Sequence, residues 1–331
     1  MLRLYPGHAL LSLALAQRGL RKASLSPSGA LAAFLAGYLA LANPLGAVFG
    51  GSLLGFYLAG SRATKVKAAV KATYEEPDHV PSPSSLSAKP APAHGQRTAT
   101  QVACNALVGV LCAVLWRLLY SGEFSATALG QSWEEERRWC VVGRYGEEDP
   151  RRWSRVLVMV AVVFWGACCG DTLGILSTSA PLLLTTLRPA PRGTNGAISA
   201  WGTFVSLLGG VLVGGIAVVM MLLLGQGKDC ACGGEMGRTW AGEVLVVGAG
   251  GGLGGSMIDS LLGALFQPTY FSPSRKLVVH TPPSSRSSSG KKDDTILLPG
   301  TALLGSWLSN NGVNAVSTIC VAVGAGWWAL R

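Results

Sequence analysis

Two aspartates, Asp171 and Asp259, sit inside long apolar runs of this chain. A carboxylate at the centre of a spanning helix costs about 2.5–3.5 kcal/mol on the insertion scale, so a membrane segment that carries one marks a functional site. Several amides occupy similar runs: Asn105, and the trio Asn310, Asn311 and Asn314. Ser306, Asn310, Asn314 and Ser317 fall at i, i+4, i+8 and i+11, one helical face. Such a face looks into a bundle, either to line a site or to bond to another helix. Two carboxylates and amides in one layer beside basic residues suit a divalent cation and a phosphate. Mg²⁺ takes oxygen ligands and is usually held by one or two carboxylates plus substrate phosphate oxygens. No histidine lies well inside an apolar run, which argues against zinc and a histidine base. The alternative use of Asp171 and Asp259 is a buried polar network that caps broken helices.

The elements that would position these groups are membrane spans. The 331 residues are 49% hydrophobic and only 13% charged, against about 25% charged in an average soluble domain. The 44 glycines suit closely packed spanning helices. The net charge is +10, but the basic residues lie between apolar runs and form no single patch, so nucleic acid is not an expected partner. The expected fold is an all-α, polytopic membrane helix bundle of about seven spans, a single integral membrane domain over 1–331. A short hydrophobic segment, His8–Ala16, precedes the spans. The expected spans are Ser28–Ala42, Gly46–Ala59, Ala99–Leu119, Val156–Leu176, Ala197–Leu224, Val244–Phe266 and Ala302–Leu330. Residues 74–98 read as a flexible Pro/Ser-rich loop, and 121–153 and 268–300 as polar loops.

The segments 18–27, 61–98, 186–195 and 266–300 collect 16 of the 27 basic residues, which puts them on the cytoplasmic side. At about 1.5 Å per residue, Asn105, Asp259 and Asn310 then lie roughly 9, 12 and 13 Å from that side. A helix break at Ser177–Pro181 brings Asp171 toward the same layer. The turn Arg192-Gly193-Thr194-Asn195-Gly196 precedes an apolar helix, whose N-terminal N–H groups favour an anion. Arg188 and Arg192 add charge there. Read alone, the same turn is a simple helix connection. The glycine run 248–255 lacks the Lys-Ser/Thr of a phosphate loop, and its four-residue spacing suits helix packing. Cys140, Cys230 and Cys232 share the non-cytoplasmic side, where a disulfide can form. Cys104, Cys112, Cys168, Cys169 and Cys320 read as small buried residues.

Taken together and in order, these motifs resemble one family. They are LSPSGALAAFLAGY from Leu25, SRATKVK, QVACN, GDT from Gly170, TTLRPAPRGTNGAIS from Thr185, GGSMIDSLLGALFQ from Gly254 and NNGVNA from Asn310. The chain is similar over most of its length to the integral membrane family of animal transmembrane protein 19 and the plant and cyanobacterial phytyl-phosphate kinases. The resemblance implies phosphoryl transfer from a nucleoside triphosphate to an isoprenoid monophosphate held at the membrane, with Mg²⁺ as cofactor. At the matching positions, charge and depth assign Asp171 and Asp259 as catalytic and metal-binding residues. The same charge and depth arguments make Lys65, Lys67, Asn105, Thr172, Arg188, Arg192, Gly193, Asn195, Asn310, Asn311 and Asn314 the expected substrate and phosphate contacts. The chain departs from the family pattern after Leu173, where close to one helical turn, including a Glu, is missing. A non-catalytic member is therefore one alternative, and a small-solute or ion transporter another. The expected location is an endomembrane such as the ER.

Overall fold

The computed structural model describes residues 3–71, 96–124, 139–174, 181–226, 230, 239–279 and 294–331. Most of the 74–98 segment, Glu134–Arg138 and the stretch 175–180, which holds most of the expected helix break at Ser177–Pro181, lie outside them.

Eight helices form the body among the described residues: α1 (Pro6–Arg21), α2 (Pro27–Leu41), α3 (Gly46–Lys71), α4 (Ala99–Tyr120), α5 (Arg152–Gly174), α6 (Ala200–Leu223), α7 (Thr239–Phe266) and α8 (Asn310–Ala329). The all-α membrane bundle is thus observed. Five of them, α4 to α8, are long and apolar enough to cross a membrane. α1 and α2, with 16 and 15 residues, fall short of the roughly 20 a span requires. α3 runs on beyond the expected span Gly46–Ala59. Gly60 and Ser61 do not break the backbone ladder, so the apolar run and the basic SRATKVK segment form one 26-residue helix.

α5 is the central post. Every residue from Ser154 to Gly170 except Leu157 and Val160 is buried, and α3, α4, α6, α7 and α8 all pack on it. Small residues permit this crowding. A Cβ on Gly170 would stand 2.6 Å from Gly252 O, one on Gly209 2.9 Å from Gly170 N, and one on Gly248 2.7 Å from Gly210 O. The three backbones of α5, α6 and α7 therefore touch directly, as small-residue interfaces in membranes do. The glycine run 248–255 is a packing surface.

Both ends of the bundle are built from polar structure. At one end, β1 (Leu182–Leu183) pairs antiparallel with β2 (Ala197–Ile198), and β3 (Tyr270–Ser272) pairs with both β4 (Leu277–Val279) and β5 (Ile296–Leu297). We call this the sheet end. The expected loop 268–300 carries this second sheet. At the other end Cys140 and Cys230 form a disulfide. Nearby, Val141 N donates to Gln226 Oε1, and Arg155 bridges Val142 O and Glu243. Trp116 Nε1 donates to Ser154 Oγ, which donates to Val141 O, so the buried 139–142 segment plugs that end. Of the free cysteines, Cys112, Cys168 and Cys169 are buried as expected. Cys104 is half-buried and Cys320 is exposed on the outer face of α8, which corrects that expectation.

Candidate functional site

The sheet end holds the candidate residues, and α7 and α8 bring the first of them together. Asp259 lies two turns beyond Gly252, where α7 leaves the glycine seam. Ser317 Oγ donates to Asp259 Oδ1 at 3.4 Å. With the Asn314 amide oriented so that its nitrogen faces acceptors, Nδ2 donates to Asp259 Oδ1 and to Asn310 O, both at 3.0 Å. Ser317 Oγ also reaches Asn314 O at 3.0 Å. One carboxylate oxygen of Asp259 is thus held by two donors from successive turns of α8. This meeting joins residues 58 apart in sequence.

Asp171 approaches from α5. Val156 and Val160 of α5 both lie against Gly326 of α8, the nearer at 3.3 Å from a Cβ built there. Asp171 is eleven residues beyond Val160 and lies on the same face. Eleven residues back from Gly326 on the antiparallel α8 is Ala315, beside Asn314. Asp171 therefore continues the α5 stripe toward the first two turns of α8, where Asn311 and Asn314 stand. Its neighbour Thr172 turns the other way: Thr172 Oγ1 donates to Cys168 O at 2.8 Å, and its methyl lies against Gly60 of α3. Asn105 of α4 is at the same level. Its carbonyl faces Cys168 Sγ at 3.9 Å, and its Nδ2 donates to Gln101 O at 3.0 Å.

Asn310 differs from its expected depth. α8 begins at Asn310, capped by Ser309 Oγ accepting from Gly312 N, so Asn310 opens the helix instead of lying nine residues inside it. The reason is local. Gly300, Ala302 and Gly305 have positive φ, and Leu304 N donates to Leu265 O, so 300–309 is a turn segment folded onto the end of α7. Asn310 is exposed and Asn311 half-buried.

The 181–199 segment also differs from expectation. Its turn does not open a helix, because 197–198 pair with 182–183 and α6 starts only at Ala200, where Ser199 Oγ accepts from Gly202 N. Asn195 joins this loop to the end of α7: its N–H donates to Thr269 Oγ1 at 3.0 Å and its Nδ2 to Pro268 O at 3.2 Å. Gly193 and Gly196 take φ of +88° and +78°, and Gly196 packs on Ala264 too closely for a side chain. Thr185 Oγ1 donates to Gly300 O at 2.7 Å, which ties the same loop to the segment before α8. Arg188 and Arg192 are exposed on its rim. Lys65 and Lys67 lie on α3, and their side chains fall outside the described residues.

Sequence reasoning missed Ser317 as a direct Asp259 partner, although its i+11 position on the amide face was the available signal. It also missed Arg97, a half-buried residue just ahead of α4. Burial lowers the Arg97 guanidinium from its ordinary value, and Tyr57 partly opposes that shift.

Among the described residues no three or more His, Cys, Asp or Glu side chains gather. An all-protein metal cage is therefore absent among them. One or two carboxylates completed by substrate and water oxygens is the ligand set that Mg²⁺ uses, and Asp259 is a carboxylate of that kind.

The sequence profile of the integral membrane protein family DUF92 matches residues 10–322. Protein PGR of Arabidopsis thaliana is 29% identical over 323 residues, 94% of this chain and 91% of its own. An uncharacterized membrane protein of Methanocaldococcus jannaschii is 38% identical over 95 residues, 29% of this chain and 32% of its own. No solved structure matches. The match over nearly the whole chain, with five apolar spanning helices, shows that this protein belongs to the integral membrane DUF92 family.

Proposed function

We propose that this protein is a membrane-embedded lipid-phosphate kinase, which transfers a phosphoryl group from a nucleoside triphosphate to an isoprenoid monophosphate. The observation that carries the reading is the fixed Asp259 carboxylate, held by Asn314 and Ser317, while helical periodicity puts Asp171 on the face of α5 whose Val156 and Val160 meet the helix α8. A carboxylate pair supported by amides, at a bundle end rimmed by arginines, is suited to positioning phosphates. Such transfer depends on positioning and charge neutralisation more than on covalent chemistry by the protein.

In this reading Asp171 and Asp259 hold Mg²⁺ through their carboxylate oxygens, together with oxygens of the substrate phosphates. The bound ion would neutralise charge on the transferred group. Asn314 and Ser317 fix the Asp259 rotamer, so its second oxygen keeps one direction. Asn310 and Asn311 stand at the open N-terminus of α8, beside any phosphate that enters. Arg188 and Arg192 supply positive charge at the rim. Asn195 and Gly193 act at one remove, by locking the rim loop onto α7. The sheet end faces the cytoplasm, where nucleoside triphosphate is available. The disulfide at the opposite end agrees with that orientation, because disulfides persist in oxidising compartments such as the ER lumen.

One observation favours a non-catalytic role: the hydrogen bonds of Asp259 also serve as a cross-link between α7 and α8. The two readings separate in one experiment. Purified protein is assayed with nucleoside triphosphate, Mg²⁺ and farnesyl or phytyl monophosphate, alongside Asp259→Asn. The asparagine keeps an oxygen to accept from Asn314 and Ser317 and loses the charge. Catalysis requires turnover in the wild type and its loss in a variant that unfolds at the same temperature. No turnover in the wild type, or an unchanged rate in Asp259→Asn, ends the kinase reading.

A further inference from the structure

A cavity of about 110 Å³ lies between α1, α2, α3 and α4, apart from the carboxylates. Its walls are apolar, with Leu15, Ala36, Leu53 and Phe56 among them. From Ala33 to Leu41 it follows α2 for about 12 Å. One end is polar. Arg97, two residues ahead of α4, lines it together with Gln101 and Asn105, one turn apart on α4. This row reaches the level of the candidate site, since Asn105 O faces Cys168 Sγ of α5, one turn before Thr172. α3 makes the same connection: Phe56 lines the cavity and Gly60, one turn on, meets Thr172. The outer wall is the short helix α1, whose Leu10 and Leu11 are exposed, so the cavity is separated from surrounding lipid by a single thin element. Inside that wall the Ser12 hydroxyl is buried and finds no partner among the described residues.

The dimensions select the occupant. An apolar protein cavity of about 150 Å³ holds one benzene. A somewhat smaller slot seats a segment of one hydrocarbon chain and excludes a pair of acyl chains. The polarity orients it, with the tail among the leucines and alanines and the anionic head at the guanidinium and amides.

We propose that this cavity is the tail-binding site for a single-chain lipid monophosphate whose phosphate lies at Arg97 and Gln101. The inference rests on the lipid-phosphate reading of the neighbouring carboxylates and locates where that substrate enters. A tail arriving from the bilayer is already out of water, so the hydrophobic effect gives little net gain on entry. Selection comes from fit, which makes the site sensitive to added bulk.

The test uses the full chain in detergent micelles and radiolabelled farnesyl monophosphate, with binding measured separately from turnover. Ala36→Phe fills the cavity and is expected to weaken binding at least tenfold. Leu39→Phe adds similar bulk to the exposed face of the same helix and is expected to leave binding unchanged. Arg97→Gln is expected to weaken farnesyl phosphate at least tenfold and farnesol not at all. A diacyl phosphatidic acid is expected to compete poorly. In the unaltered protein, a farnesyl phosphate analogue with a diazirine near its tail end is expected to label residues 11–16 and 33–41. Absent binding in the wild type, full binding in Ala36→Phe, equal competition by phosphatidic acid, or labelling confined to α6 and α8 overturns the proposal. Binding without any turnover leaves the cavity assignment standing and removes the kinase reading. Turnover with full binding in Ala36→Phe does the reverse.

Discussion

Replacing Gly252 by Ala tests the packing that carries Asp259. A Cβ at Gly252 would stand 2.7 Å from Gly210 N and 2.9 Å from Gly210 Cα, and closer still to the Ser206 carbonyl oxygen. All three are backbone atoms of α6, so no rotamer change relieves the contact. Restoring ordinary separations of about 3.5–4.0 Å requires α6 and α7 to part by roughly 1 Å. Overpacking costs about 1–3 kcal/mol, and a backbone-limited site falls at the upper end. Alanine returns about 1 kcal/mol of helix propensity over glycine, so the net loss is about 2 kcal/mol. Gly250, on the same helix, has no heavy atom within 4 Å of an added Cβ. Gly250→Ala therefore gains about 1 kcal/mol from propensity alone. The two single-methyl variants, two residues apart, should differ by about 3 kcal/mol, more than a hundredfold in the unfolding equilibrium. Unfolding in mixed micelles with rising SDS, followed by fluorescence of the ten tryptophans, measures this. Equal midpoints, or a weaker Gly250→Ala, would refute the backbone-contact argument.

Reduction of the Cys140–Cys230 disulfide, or Cys140→Ser, should destabilise the protein by about 4–5 kcal/mol on a chain-entropy view, since the bond spans 90 residues; a thermal melt with and without reductant checks it. Glu243→Gln should cost about 3 kcal/mol, because it removes the carboxylate facing the buried Arg155 guanidinium. That loss is read from the same SDS titration, and Arg155→Met in the Glu243→Gln background should recover part of it. Burial pushes the Glu123 carboxyl up, but hydrogen bonds from Arg117, Arg3 N–H and Tyr5 outweigh it, and the net value lies below the ordinary carboxylate range. A carboxyl lowered by folding stabilises above its unfolded value, about 4.3, and that contribution disappears as pH falls through the folded value. Melting temperature should therefore fall more steeply from pH 5 to pH 3 in the wild type than in Glu123→Gln.

Much of the fold follows from local composition. Apolar runs of spanning length predict α4 to α8, and the lack of charge predicts a membrane bundle, because lipid forces every backbone group into helical bonds. The cost of an intramembrane carboxylate singles out Asp171 and Asp259, and the four-residue spacing of glycines from Gly248 to Gly255 marks a packing face. Helix ends were less legible. Ala302–Ser309 is apolar enough to extend α8, yet it folds back because Leu304 bonds to the end of α7. Ser61 onward is polar enough to end α3, yet the helix continues.

Partners were beyond local reading. Periodicity states which residues share a face and leaves open what that face meets. That Cys230 pairs with Cys140, that Gly252 meets a backbone while Gly250 meets nothing, and that Asn195 bonds to Pro268 and Thr269 all depend on how distant helices stack. The same holds for Asp259. The sequence by itself determined that a charge lies in the membrane and needs companions. Only the packing of α5, α7 and α8 decided that those companions are Asn314 and Ser317, because contacts between residues 58 apart are fixed by tertiary approach and by no property of either segment alone.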